Sequence, residues 1–190
     1  MHEYDPPRLR KAALVLIDAD QDPDQVVARW ADGPALLPAG HCWEAVQVPA
    51  PLGRAVLAVG RTVGMGVESG SWPVVCTPGE DSIVFLVPPG TAAKWAVPGT
   101  VCLSHGQVAV QAPTSENAYT GGQPVADADT PCTRSAPHWI QPPHLNRAGE
   151  LMLTDPALLG PALDHIVKVK GSGTPHQVSL ADRERSGGAR

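Results

Sequence analysis

The acids whose spacing best suits metal chemistry close a hydrophobic run: LVLIDAD at 14–20 ends in Asp18 and Asp20. Residues two apart on a strand point to the same side, so this pair could share a cation, and Mg²⁺ or Mn²⁺ takes carboxylate oxygens by preference. The plainer reading makes LVLI the apolar face of a first helix and the aspartates part of an acidic loop before the next. A metal there also needs a partner acid or histidine from elsewhere. Glu44, the only acid in HCWEAVQVP, is the candidate on the next extended segment. His105 stands beside Gly106 at a turn between two strands, where an imidazole can act as general base. The catalytic candidates are therefore Glu44 and His105, and the metal candidates Asp18 and Asp20.

Other constellations point to less. His138 and His144 flank a proline-rich hairpin without helical or close zinc spacing, and His41 is equally isolated, so all three read as ordinary histidines. No G-x-S-x-G elbow exposes a nucleophilic serine. The glycines of GRTVGMG at 60–66 lack the Lys-Ser/Thr ending of a phosphate loop. Cys42, Cys76, Cys102 and Cys132 lie 26 to 34 residues apart with no C-x-x-C pair, which reads as four thiols in a reducing compartment. No cofactor is expected from these patterns.

The elements that must position these residues follow from turn and cap signals. Residues 8–17 read as a short helix or a strand. Asp22-Pro23 starts a helix with an N-cap and a proline in the first turn, carrying Val26, Val27 and Trp30 on one face until Gly33-Pro34 stops it. A strand is expected around Cys42–Val48 and a helix over Leu52–Val59, with 60–71 as a glycine-rich loop. Trp72–Thr77 and Ser82–Val87 read as strands joined by the turn Pro78-Gly79-Glu80-Asp81. Residues 100–112 form a strand pair or one long strand, with Gly106 as turn or bulge. The stretch 113–148 is an excursion over the surface, from which PHWIQPP could return to the sheet. Asp155-Pro156 opens a last helix that Gly160-Pro161 must kink or restart. The expected architecture is α+β in one domain over 8–170, a mixed or antiparallel sheet with flanking helices, and a disordered tail at 171–190.

Composition agrees with short elements and many turns. The 190 residues include 21 prolines and 19 glycines, and only 17% are charged. Long helical bundles are excluded. Five of the aromatics are tryptophan, and Trp30, Trp43 and Trp95 are placed in or beside the core. The net charge of −5 speaks against coating nucleic acid, which requires a basic surface. Residues 41–110 hold only seven charges, while 168–190 hold five basic and two acidic groups, a weak basic excess read as solvation. The longest apolar run near the N-terminus, Ala12 to Ile17, is too short for a signal peptide or a membrane span, so a cytoplasmic location without membrane contact is expected.

Several segments, taken in order, resemble the N-terminal domains of bifunctional DNA primase/polymerases (Prim-Pol), of the archaeo-eukaryotic primase superfamily. DPDQVVARWADGPALLPAG is similar to that family's D-P-x-x-I-x-x-W stretch and the strand after it. WPVVCTPGEDSIVFLVPPG resembles its P-T-x-x-V-x-T-P-S-G-G-x-H-h-Y-F hairpin, and TVCLSHGQVAVQAPTS its V-D-V-R-x-x-G-G-Y-V-V-A-P-P-S strand pair. His138-Trp139 falls where the family often has an aromatic before proline. The resemblance covers about residues 20–140 and rests on order and spacing; small stand-alone proteins of high-GC bacteria share the pattern.

The resemblance implies nucleotidyl transfer by two metal ions held on a D-x-D/E strand and a further acid, with a hairpin histidine on the triphosphate. Carried over position by position, these anchors are degraded. The strand after Gly40 offers Glu44 as its only acid, with Gln47 and Pro49 nearest the expected pair. The hairpin histidine falls near Ser82 or Ile83, and the third acid at Cys102. The resemblance thus implies a Prim-Pol-like domain that has lost its chemistry and works as a binding or accessory module, its partner a protein or small ligand rather than tightly held nucleic acid. The enzymatic alternative is a primase/polymerase using Asp18, Asp20 or Glu44 with Mg²⁺ or Mn²⁺. A third reading is an α+β domain whose likeness to Prim-Pol is strand-and-turn patterning alone.

Overall fold

The computed structural model describes residues 6–17, 21–63, 72–77, 81–113 and 136–171. Over these the chain is α+β, with four α-helices and two antiparallel sheets. The first helix, α1 (Pro6–Leu16), resolves the helix-or-strand ambiguity of 8–17. Helix α2 (Pro23–Asp32) begins as its sequence dictates: the Asp22 carboxylate accepts the Asp24 N–H at 2.9 Å, and Val26, Val27 and Trp30 form the buried face. Two strands follow, β1 (Ala35–Ala39) and β2 (Glu44–Pro49), where one was expected. Helix α3 (Ala50–Thr62) runs beyond the expected Leu52–Val59 at both ends.

The remaining elements are β3 (Val74–Thr77), β4 (Ser82–Val87), a 3₁₀ turn (Ala92–Lys94), β5 (Val101–Leu103), β6 (Gly106–Val110), β7 (His138–Gln141) and α4 (Pro156–Gly171). PHWIQPP does return to the sheet, as β7 against β3. The last helix passes through Pro161 as one element rather than restarting. The proline and the Ala157 carbonyl it leaves without an N–H lie on the exposed side, where water can serve that oxygen.

The main sheet has the order β5-β2-β4-β3-β7, and β1 pairs with β6 in a separate ribbon. The expected 100–112 strand pair is therefore corrected: β5 and β6 follow each other in sequence but belong to different sheets. The reason lies in the two places where the chain changes sheets. Gly40, at φ +135°, sits so close to the β5–β6 crossing that a Cβ there would stand 2.4 Å from the Ser104 carbonyl oxygen. Gly106, at φ +127°, completes the second crossing.

Both faces of the main sheet are covered, and alternation along each strand divides its side chains between two cores. Ala45, Val75, Val84, Leu86 and Trp139 pack with α1, α2 and the β1–β6 ribbon. Val46, Val48, Val74, Ile83, Phe85 and Val87 pack instead with α3 and α4. This is why SIVFLV is apolar throughout. Tryptophans pin the first core: the indole N–H of Trp30 donates to the Val110 carbonyl, that of Trp43 to Leu16 and that of Trp139 to Gln111. A buried indole needs such a partner. Trp72 lies edge-on to Phe85, with ring centroids 6.1 Å apart.

The cysteines require a correction. Cys42 and Cys102 are thiols outside any disulfide, but Cys76 is disulfide-bonded. Sequence spacing says nothing about which thiols meet in space. Cysteine use therefore no longer supports a reducing compartment. Among the described residues no helix is long and apolar enough to cross a membrane.

Candidate functional site

Glu44, the acid at the start of β2, is buried at 4% exposure. Its side chain points to the face covered by α3 and α4, toward the segment that leaves β4. There Pro88-Pro89-Gly90 turns the chain, with Gly90 at φ +84°, and residues 92–94 form the 3₁₀ turn. One carboxylate oxygen, Oε1, accepts the Gly90 N–H at 2.9 Å, and Oε2 accepts the Ala92 N–H at 2.6 Å. The start of a helical turn leaves N–H groups without internal partners, and a carboxylate receiving them forms charge-assisted bonds. Glu44 thus clamps the loop over residues 88–94 to the sheet.

Cys102 of β5, where the resemblance expects the third acid, stands beside it, with Sγ 3.9 Å from Glu44 Oε2. Burial, and then the neighbouring carboxylate, push its thiol up to about 12. Thiol and carboxylate here share one low-polarity corner of the sheet.

The other carried-over positions meet on the opposite face. Gln47 Nε2 donates to Ser82 Oγ at 3.1 Å, and the hydroxyls of Ser82 and Thr77 lie 2.5 Å apart. Thr77 Oγ1 also donates to the Ser82 carbonyl at 3.1 Å. Pro49 faces Ser82 in the β2–β4 register. The residues at the positions where the resemblance expects the second acid and the hairpin histidine, Gln47 and Ser82, are in contact and uncharged. Glu44 and Gln47 are three apart on one strand and face opposite sides of the sheet.

His105 is exposed at the crossing between β5 and β6, and His41 and His144 are exposed as well. His138 is buried on β7, its Nδ1 3.2 Å from the Ala136 carbonyl oxygen. Asp18 and Asp20 lie outside the described residues. Among the described residues no group of three or more histidines, cysteines or acids is placed to hold a metal ion.

The Glu44-held loop forms one wall of an open groove of about 690 Å³; α4 forms the other. Pro88, Pro89, Pro98, Pro156 and Pro161 line it together with Trp95. Trp95 is set by its indole N–H, which donates to Thr100 Oγ1 at 2.8 Å, while that hydroxyl donates to the Val97 carbonyl. Across from it Gly160 of α4 leaves room: a Cβ there would lie 3.8 Å from both Trp95 Cζ3 and Val97 Cγ2. Lys94 and Asp164 are the groove's charged residues. This groove is not among the sites expected from sequence, although Pro-Pro-Gly after a buried strand and Gly-Pro inside a helix are its visible signals. No protein-family model, curated protein or solved structure matches the chain.

Proposed function

We propose that this chain is a Prim-Pol-like domain without the metal-binding carboxylates of such enzymes, working as a binding or accessory module. Its ligand site is the groove between the 88–98 loop and α4. The observation that carries this reading is the engagement of Glu44. Both oxygens of this buried carboxylate accept backbone amides, from Gly90 and Ala92, so Mg²⁺ or Mn²⁺ would have to share it with those donors in a site that is 4% exposed. Gln47 and Ser82, bonded to each other, bring no charge to a metal or a triphosphate.

Two further features support binding in place of chemistry. A volume of about 690 Å³ with a mostly apolar lining suits a small molecule or a short segment. The seven charges of residues 41–110, three of them basic, suit nucleic-acid backbone poorly.

The experiment is primer extension and de novo primer synthesis with Mn²⁺ and all four nucleotides. The full chain is run beside Glu44→Ala and an Asp18→Ala, Asp20→Ala double variant. No product is expected from any of them. Metal-dependent product from the parent that disappears in either variant establishes the enzyme instead.

A further inference from the structure

We propose that the groove takes a small amphipathic monoanion, with a flat apolar body against Trp95 and a carboxylate-type head at Lys94. The assignment rests on the groove being the binding site and follows from the hydrogen-bonding groups around it. Five of its lining residues are prolines and carry no N–H. The Gly90 amide donates to Glu44, the Thr91 amide to the Pro88 carbonyl, and the Lys94 amide to Thr91. The Trp95 amide donates to Ala92 and its indole N–H to Thr100. The Thr91 hydroxyl donates to the Pro88 carbonyl. A bound molecule therefore meets mainly carbon surface on both walls.

The Lys94 ammonium is the exception. It is exposed, and among the described residues no hydrogen bond or ion pair engages it. The groove's acid, Asp164, is matched by Lys168 at 2.5 Å along α4. One uncompensated positive charge remains, on the residue next to the groove's aromatic ring. An extended proline-rich peptide fits less well. Grooves that read such peptides combine aromatic surface with donors for the peptide carbonyls, and the Gly90, Thr91, Lys94 and Trp95 amides and the Trp95 indole of this loop are already taken.

The test is a ¹H–¹⁵N NMR titration of the full chain with 2-naphthoate, with its uncharged counterpart 2-naphthamide, and with an uncharged proline-rich peptide. Naphthoate is expected to shift the amides of residues 91–97, 157–160 and 162–164, binding about threefold or more tighter than naphthamide, the scale of an exposed charge pair. Lys94→Gln, on an exposed side chain, removes that difference and leaves the naphthamide affinity unchanged. Gly160→Leu weakens both aromatic probes by filling the space before Trp95. Equal affinities in the parent, or a difference that survives Lys94→Gln, overturn the head-group assignment while the groove stands. A peptide that shifts the same amides at lower concentration than naphthoate overturns it in favour of a protein segment. Groove amides unmoved by every probe overturn both the assignment and the binding site itself.

Discussion

The Glu44 carboxylate receives the Ala92 N–H at 2.6 Å, joining a central strand to a 3₁₀ turn 48 residues later. With the second bond to Gly90, this fixes the loop that carries Trp95 and Lys94. The same residue is one of the sequence's two catalytic candidates, with His105. Its buried carboxylate accepts one amide on each oxygen and so ties the loop to the sheet.

Removing that acceptor leaves two amides unmatched. Glu44→Ala is expected to lower stability by about 2–4 kcal/mol, and Glu44→Gln by about 1–2 kcal/mol because the amide oxygen keeps one bond. Urea denaturation of both variants checks this. Losses below about 0.5 kcal/mol in both, the range of ordinary surface substitutions, contradict the clamp.

Cys102 gives a pH signature. Its folded thiol titrates at about 12 against an ordinary 9.0. Between those values the unfolded chain has given up a proton that the folded chain retains, so stability falls as pH rises through the window. Cys102→Ser removes this component, and the parent-minus-variant stability difference should decline from pH 9 toward 12. At pH 8, iodoacetamide should label exposed Cys42 well before Cys102, read by mass spectrometry.

Two glycines should respond to alanine with opposite signs. At Gly53 a Cβ would lie 2.8 Å from Val48 Cγ2 and 2.9 Å from Ile83 Cβ, wedging α3 off the sheet. Gly53→Ala is expected to lose about 1–3 kcal/mol. At Gly160 the added methyl meets only ordinary contacts at 3.8 Å or more, so Gly160→Ala should gain up to about 1 kcal/mol from helix propensity. Thermal melts of the two variants, side by side, decide it.

The helix cap at Asp22 offers a smaller check. Asp22→Ala removes the acceptor for the Asp24 N–H and should lower stability by about 1 kcal/mol. No change in the denaturation midpoint would show that α2 does not need this cap.

Local signals carried much of the fold. Asp22-Pro23, Gly33-Pro34 and Asp155-Pro156 mark helix ends through backbone chemistry confined to a few residues, and they appear where expected. What failed depends on distant partners. Nothing local in ALLPA tells that it pairs with Gly106–Val110, nor that β5 and β6 part company. The partnership of Glu44 with Gly90 and Ala92 spans more than forty residues, and a lone acid on an apolar strand looks the same whether it will meet a metal or two amides. The cysteines were misread for a related reason: the disulfide at Cys76 is a tertiary fact.

The most direct test places Mn²⁺ against Glu44. In a ¹H–¹⁵N spectrum, a paramagnetic ion held by the Glu44 carboxylate must broaden the Gly90 and Ala92 amides bonded to it. With stoichiometric Mn²⁺ added, both resonances are expected to keep their intensity and position, and to move only in Glu44→Gln. Selective loss of those two resonances in the parent, restored by Glu44→Gln, would place a metal at Glu44 and contradict the account.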